Sequence, residues 1–169
     1  MKLVGLLFLA ASFLGFTLVR LNTYNLRFSL LKRLISFLEH IERELSVQPV
    51  QLQEMFSAIA GKVKTEDSAI FFRLSEALEL LGDKGFQEIW EENIDFFFSS
   101  LSVDEKHEIY RIGAKLGFCP VDMQLKCISG CRKYFAEILQ KEKKDYPQNR
   151  KLYLGLTAAA AGAMIIVFI

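Results

Sequence analysis

The chain has 169 residues, of which 51% are hydrophobic, and its mean hydropathy of +0.23 is high for a soluble domain, which indicates that part of it lies in lipid. Residues 3–19 and 152–169 contain no Lys, Arg, Asp or Glu, so the 21 basic residues less Lys2 balance the 20 acidic residues within residues 20–151. That balance excludes the one-sided basic surplus expected of a nucleic-acid-binding protein. The middle segment has room for one hydrophobic core, not for two domains.

The first uncharged segment, residues 3–19, is predicted to be a transmembrane anchor. As a helix it extends about 26 Å, near the lower limit for crossing a hydrocarbon core. A cleaved signal peptide is the alternative, because small residues occur near Ala10, Ala11 and Ser12. These residues fall in the middle of the apolar run, and the helical pattern continues through Arg20, so an uncleaved anchor is favoured.

The second uncharged segment, residues 152–169, is predicted to be another transmembrane helix of about 27 Å. Its Ala- and Gly-rich part presents small residues, which allow transmembrane helices to approach closely. Gly155 and Gly162 lie seven positions apart and therefore share a helix face, which we predict to pack against a neighbouring helix. The alternative is a buried hairpin helix of a soluble protein.

Basic residues near the two anchors predict the orientation, since Lys and Arg are enriched on the cytoplasmic side. Those that flank the middle segment are Arg20, Arg27, Lys32, Arg33, Lys141, Lys143, Lys144, Arg150 and Lys151. Three cysteines without a disulfide pattern, Cys119, Cys127 and Cys131, fit the same reducing compartment. The predicted organisation is an anchor over residues 1–19, a cytoplasmic helical domain over residues 20–151 and a transmembrane helix over residues 152–169.

The middle segment is predicted to be all-helical, because its apolar residues recur every three or four positions without strand-like alternation. The first helix continues the N-terminal anchor through residues 26–45 and stops before Pro49. The second covers residues 52–61. The third begins at Thr65 and ends at Gly82, a residue suited to a left-handed C-cap.

The fourth helix is predicted from about Lys84, with these residues facing inward: Phe86, Trp90, Ile94 and Phe97. Ser102 followed by Glu105 has the spacing of a capping box and starts the fifth helix, which Gly117 ends. Pro120 suits the first turn of the sixth helix, and Tyr146 with Pro147 is expected to break that helix before the second anchor. Six helices with short loops indicate an antiparallel bundle.

No motif indicates catalysis, so we predict that the chain is not an enzyme and takes no cofactor, metal or small-molecule substrate. Phosphate-binding glycine loops are absent from the sequence. His40 and His107 are interpreted as solvated helix positions, and the cysteines as small packing residues lacking a fourth metal ligand. Three consecutive aromatics, residues 96–98, cannot all face one side of a helix; they are core plus one surface contact or, alternatively, an exposed docking patch.

A set of residues in the middle segment forms a pattern that can be compared with known families. They are Ile41, Glu42, Arg43, Glu44, Leu45, Leu52, Glu54, Ile59, Ala60, Phe72, Leu74, Ser75, Trp90, Gly113, Leu116, Gly117, Asp122 and Gln124. Residues 41–45 are similar to an L-E-x-E-I step, and residues 116–124 to an L-G-x-x-x-x-D-x-Q turn. With both anchors, this order and spacing resembles the stage III sporulation protein AB family of endospore-forming bacteria over nearly the whole chain.

The resemblance implies a mother-cell protein of the complex that joins mother cell and forespore after engulfment. It implies a middle segment similar to a cytoplasmic domain of type II secretion platform proteins, and a cytoplasmic ATPase as partner. The expected function is therefore a non-enzymatic, membrane-anchored platform that couples this ATPase to other membrane components of a secretion-like complex. The alternative is a membrane-tethered helical adaptor or sensor unrelated to secretion.

Acidic side chains far from the membrane are predicted to receive the ATPase. The basic flanks would be engaged by anionic lipid headgroups, whereas carboxylates would remain available to steer a basic partner. Two clusters meet this description, Glu42 with Glu44 on the first long helix and Glu88 with Glu91 and Glu92 on the fourth. The alternative is that both are ordinary solvated helix faces.

Overall fold

The computed structural model describes residues 2–47, 51–64, 67–79 and 85–168. Regular structure in those ranges is entirely helical and comprises α1 (Lys2–Val47), α2 (Leu52–Lys62), α3 (Ser68–Glu79), α4 (Phe86–Phe97), α5 (Val103–Gly113) and α6 (Val121–Phe168). The predicted all-helical class is confirmed for these ranges, as is the continuation of the N-terminal segment into the first long helix. The predicted boundary residues Pro49, Thr65, Gly82 and Lys84 lie outside the described residues.

The chain divides into two compact units. One consists of Met1–Leu30 and Glu137–Ile169, and the other is Leu31–Ala136. Within the second unit α2 packs against α3, α3 against α4, and α4 against α5. The helices are close in sequence, and short connections favour antiparallel neighbours, which is the arrangement that the sequence predicts.

The core of the Leu31–Ala136 unit is aromatic and centres on Phe37 of α1. The ring centroid of Phe37 lies 5.0 Å from that of Phe71, 5.6 Å from that of Trp90 and 5.8 Å from that of Phe98. All four side chains are fully buried. One residue of α1 thus contacts α3, α4 and the residue that caps α4. Sequence periodicity predicted Trp90 as a core residue and missed Phe37, which lies beside the leucine stripe of α1.

Phe98 fills the core at the end of α4, whereas Phe97, which was predicted to face inward, is only half-buried. The α-helix ends at Phe97, and Phe98 leaves helical geometry with φ −125° and ψ 38°. This change of backbone direction turns the Phe98 ring inward, where it is fully buried, and leaves Phe97 half-buried. A helical wheel cannot anticipate the shift, since it assumes that the helix continues.

The predicted capping box at the start of α5 is confirmed. The Ser102 hydroxyl accepts a hydrogen bond from the Glu105 backbone N–H at 3.4 Å, and the Ser102 N–H donates to the Glu105 carboxylate at 2.9 Å. The helix ends at Gly113, earlier than predicted, and turns follow. Gly117 lies in those turns with a backbone φ of +80°, a conformation that residues other than glycine rarely adopt.

The predicted helix break at Pro147 is wrong, since Pro147 lies inside α6. A proline in a helix removes one backbone donor and costs about 3 kcal/mol. In the Met1–Leu30 and Glu137–Ile169 unit, contacts on the adjoining turns oppose that cost. Tyr146 packs edge-to-face on Tyr24 and Phe28, with centroids 5.7 and 5.6 Å apart, and Arg27 Nε pairs with Glu142 Oε1 at 3.2 Å. Tertiary packing thus overrides a local helix breaker.

Within the part of the chain that the structure describes, no helix is both long enough and apolar enough to span a membrane. The two segments predicted to do so, residues 3–19 and 152–169, have a helical backbone up to Phe168. Apart from Val19, Gly155 and Ala159, their side chains lie outside the described residues. The predicted anchoring of both ends therefore stays a prediction.

Candidate partner-binding surface

Both carboxylates of the α1 cluster are ion-paired within the Leu31–Ala136 unit. Glu42 Oε2 accepts a hydrogen bond from Arg132 Nε of α6 at 2.8 Å. Nη1 of the same arginine lies 3.7 Å from Glu39 Oε1. Glu44 accepts both of its bonds from Lys62 Nζ, the last residue of α2, at 2.7 and 2.8 Å. These pairs join α1 to α6 and to α2, so a partner that used Glu42 or Glu44 would have to compete with them.

The three glutamates of the α4 cluster lie on two different stripes of that helix. Glu88 and Glu92 are exposed and, at intervals of four residues, line up with exposed Phe96. Glu91 is half-buried, accepts a hydrogen bond from Gln87 Nε2 at 2.9 Å, and lines up with Asp95. The structure therefore separates residues that the sequence had grouped.

The stripe of Glu91 and Asp95 faces α5. Asp95 Oδ1 accepts hydrogen bonds from Lys106 Nζ and from the Tyr110 hydroxyl, each at 2.6 Å. The hydrogen bond from Lys106, followed by the one from Tyr110, lowers the pKa of Asp95. Desolvation, with the hydrogen bond and charge of Asp95, raises the pKa of Tyr110 to about 12. These groups tie α4 to α5, which leaves the stripe of Glu88 and Glu92 as the outward one.

Phe96 extends the outward stripe of α4 toward α3. The Arg73 guanidinium of α3 lies over the Phe96 ring, with Cζ 4.1 Å from the centroid, a cation–π distance. Phe96 remains 64% exposed, and Phe72, next to Arg73 on α3, is 62% exposed. Phe72 and Phe96 are therefore two large aromatic side chains exposed to solvent, on helices that pack against each other.

Carboxylates of both helices lie near these aromatic residues along the chain. Glu76 and Glu79 lie on α3 after Arg73, and Glu88 and Glu92 lie on α4 before Phe96, and the two helices pack against each other. All four glutamates are exposed. We call this surface the α3–α4 face, defined by Phe72, Glu76, Glu79, Glu88, Glu92 and Phe96. Its composition suits a partner with basic side chains and an apolar anchor.

Sequence reasoning found Glu88 and Glu92 of this face but missed Phe72, Glu76 and Glu79. A signal was present, because Phe72, Glu76 and Glu79 recur at helical spacing opposite the buried residues Ile70, Leu74 and Leu78.

The predicted packing role of Gly155 and Gly162 stays a prediction. Gly155 is exposed and a Cβ there would meet nothing within 4 Å, whereas the side-chain position of Gly162 lies outside the described residues.

Comparison with known proteins gives one consistent answer. The sequence model of the stage III sporulation protein AB family matches residues 2–169. A solved structure of a protein titled stage III sporulation protein AB superposes with a TM-score of 0.57 at 19% sequence identity, covering 70% of this chain and 94% of that one. At this identity the structural likeness concerns the fold alone. No curated protein matches the chain.

Proposed function

This chain belongs to the stage III sporulation protein AB family, and from that premise we propose that it is a non-enzymatic, membrane-anchored assembly component of a sporulation secretion-like complex. In this proposal the protein acts as a platform that couples a cytoplasmic ATPase to membrane-embedded parts of the complex between mother cell and forespore. The α3–α4 face is the observation that carries the proposal, because it combines exposed aromatic and acidic side chains on two helices that pack together.

The membrane attachment in this proposal is supported by charge distribution. Residues 3–19 and 152–169 carry no charged side chain, and basic residues flank each segment on the side of the Leu31–Ala136 unit. Basic flanks are retained on the cytoplasmic side of a membrane. Both segments would then cross the bilayer and hold the helical unit in the mother-cell cytoplasm, within reach of an ATPase.

A labelling experiment tests this topology. In a background without native cysteines, a cysteine replacing exposed Lys64 stays unlabelled by a membrane-impermeant maleimide in intact cells that produce the protein outside sporulation. A cysteine added after Ile169 reacts in the same cells, and Lys64→Cys reacts once they are permeabilised. Labelling of Lys64→Cys before permeabilisation would show that the proposed orientation is wrong.

The ATPase is proposed to dock on the α3–α4 face, with Glu91 at its edge. The exposed carboxylates would steer a basic surface of the motor toward the platform, which acts mainly on the association rate. The aromatic rings of Phe72 and Phe96 would then lose contact with water and slow dissociation. Glu42 and Glu44 contribute less in this proposal, because both are half-buried, whereas Glu88 and Glu92 are exposed.

Charge reversal separates these contributions. We expect Glu88→Lys with Glu92→Lys to lower the association rate of the purified ATPase about tenfold or more at low salt, because steering depends on summed charge. The matched control is Glu137→Lys with Asp145→Lys, which makes the same change in net charge at exposed positions of α6. Phe96→Ala should instead raise the dissociation rate. Rates are measured by surface plasmon resonance on the full chain in detergent.

Two readouts separate a wrong surface from a wrong function. If the α4 reversal folds and binds the ATPase like the wild type, the α3–α4 face is not the docking surface. If a Glu42→Lys, Glu44→Lys variant also binds like the wild type, neither acidic cluster receives the ATPase. If the unmodified chain binds neither the ATPase nor any membrane component in crosslinking of sporulating cells, the platform function itself is wrong. Circular dichroism establishes that each variant remains helical.

A further inference from the structure

A second surface of the Leu31–Ala136 unit has the opposite charge. Between α5 and α6 lies an open cavity of about 290 Å³, here called the α5–α6 cleft. The residues that line it are Glu108, Arg111, Lys115, Met123, Lys126, Cys127, Gly130 and Cys131. None of these residues belongs to the α3–α4 face, and the proposed function does not use them.

The walls of the α5–α6 cleft carry three cations and one carboxylate. Glu108 is that carboxylate, and Arg111 Nη1 donates to its two oxygens at 3.1 and 3.0 Å. Lys115 and Lys126 form no ion pair among the described residues. Once Glu108 has neutralised Arg111, two positive charges remain at the rim of a recess, where low-dielectric walls concentrate the potential.

The α5–α6 cleft also offers apolar contact. Met123 is 52% exposed although it is a large hydrophobic residue, and its unbranched thioether side chain can adapt to different neighbours. Gly130 leaves open space on α6, since a Cβ there would meet nothing within 4 Å. The volume of about 290 Å³ lies just below the range of about 300–1,000 Å³ typical of small-molecule sites, which suits one or two inserted side chains.

We propose that the α5–α6 cleft binds an acidic segment of a partner protein. A carboxylate of that segment lies between Lys115 and Lys126, and a neighbouring apolar side chain packs on Met123. A phosphate group would favour an unoccupied arginine fork or several backbone N–H donors, and here the guanidinium of Arg111 is already bonded to Glu108. Two flexible ammonium groups beside an apolar side chain fit a peptide carboxylate better.

Cys127 provides a local reporter for this proposal. It lines the cleft, is half-buried, and its thiol lies 3.9 Å from the Arg111 carbonyl oxygen. Cys131 also borders the cleft but is buried, and burial, followed by the influence of Cys127 and Glu108, raises the pKa of its thiol to about 12. Alkylation needs the thiolate, so Cys131 reacts slowly. Replacing Cys119 by Ser makes Cys127 the principal reactive thiol.

The potential in the cleft is measured by comparing two alkylating reagents on the full chain with Cys119→Ser, in a neutral detergent at low salt. Iodoacetate carries a negative charge and iodoacetamide carries none, so the ratio of their rates at Cys127 reports local potential independently of thiolate fraction. Lys126→Glu changes the charge of the cleft by two units. Each unit charge at roughly 6 Å in water changes the rate ratio by about threefold, so this variant should lower the ratio about tenfold. Lys64→Glu, an exposed lysine outside the cleft, should leave the ratio unchanged.

Binding is tested with a synthetic peptide of alternating Glu and Leu and a matched peptide of alternating Gln and Leu. The acidic peptide should slow alkylation of Cys127 by iodoacetamide about fivefold or more near saturation, since labelling falls with the free fraction. The Gln peptide should give little protection, and Lys115→Glu with Lys126→Glu should abolish the effect of the acidic peptide.

Three results would overturn the proposal. The first is an alkylation ratio that does not respond to Lys126→Glu, which means that the cleft is not electropositive at Cys127. The second is equal protection by the Gln peptide, which means that charge does not select the ligand. The third is protection by inorganic phosphate, or by phosphatidylglycerol in mixed micelles with the neutral detergent, that matches protection by the acidic peptide. That result means that the cleft binds small anions or headgroups.

Discussion

Replacing Trp90 by Ala is expected to lower the free energy of unfolding by about 3–5 kcal/mol, as for other fully packed large side chains. The Trp90 side chain has no exposed surface, and its ring packs against Phe37 and Phe86 with centroids 5.6 and 6.0 Å away. Its Nε1–H donates a hydrogen bond to the Ile109 carbonyl oxygen of α5 at 3.0 Å. The substitution therefore removes contacts of α4 with α1 and with α5 together.

Denaturant unfolding of the full chain in detergent, followed by far-ultraviolet circular dichroism, measures this loss. Tryptophan fluorescence is unsuitable, because Trp90 is the only tryptophan of the chain. Trp90→Phe is the matched variant, since it keeps an aromatic ring and loses the hydrogen bond, and its cost should lie between those of wild type and Trp90→Ala. A loss below about 1 kcal/mol for Trp90→Ala would be typical of a surface substitution and would contradict the described core.

Gly113→Ala is expected to destabilise the protein by about 1–3 kcal/mol, the usual cost of overpacking a filled core. A Cβ at Gly113 would lie 2.5 Å from Cδ1 and 2.7 Å from Cγ of Trp90. The Trp90 ring cannot easily move aside, because Phe37, Phe86 and the bond to Ile109 hold it. The close approach of α5 to α4 thus requires a residue without a side chain at position 113.

The control for Gly113→Ala is the same substitution at Gly130. Gly130 also lies inside a helix, but a Cβ there would meet nothing within 4 Å. Alanine favours the helix by about 1 kcal/mol over glycine, so Gly130→Ala should raise stability while Gly113→Ala lowers it. If both substitutions stabilised the protein by similar amounts, the described contact between Gly113 and Trp90 would be wrong. Unfolding of both variants is measured by circular dichroism under the same conditions.

The two glycine substitutions show that a sequence pattern predicts local helical propensity but does not predict a contact between two helices. Helical propensity makes the same prediction for Gly113 and Gly130, because it depends only on each residue and its near neighbours. The difference between them comes from a ring on another helix, 23 positions away at Trp90. Only the packing of α5 on α4 brings that ring to Gly113.

The candidate binding surfaces also combine features that the sequence predicts with features that depend on how the helices pack. The sequence identified Glu88 and Glu92 as exposed carboxylates, because they lie opposite the apolar stripe of α4. The sequence grouped Glu42 and Glu44 with these exposed carboxylates. It did not indicate that Glu42 is ion-paired, because its partner Arg132 is 90 positions away in sequence. The α5–α6 cleft likewise joins Arg111 and Lys115 to Lys126 across a turn whose geometry depends on the positive φ of Gly117.

The sequence by itself determined the helical class, the capping box of α5, the two charge-free ends and the family. Each of these follows from spacing within a few turns or from the order of short motifs, and such local signals persist whatever the helices later contact. The tertiary structure alone decided the central position of Phe37, the uninterrupted course of α6 through Pro147 and the pairing of Glu42 with Arg132. These features depend on side chains that become neighbours only when the helices pack, and the free energy of that packing is large enough to override local preferences.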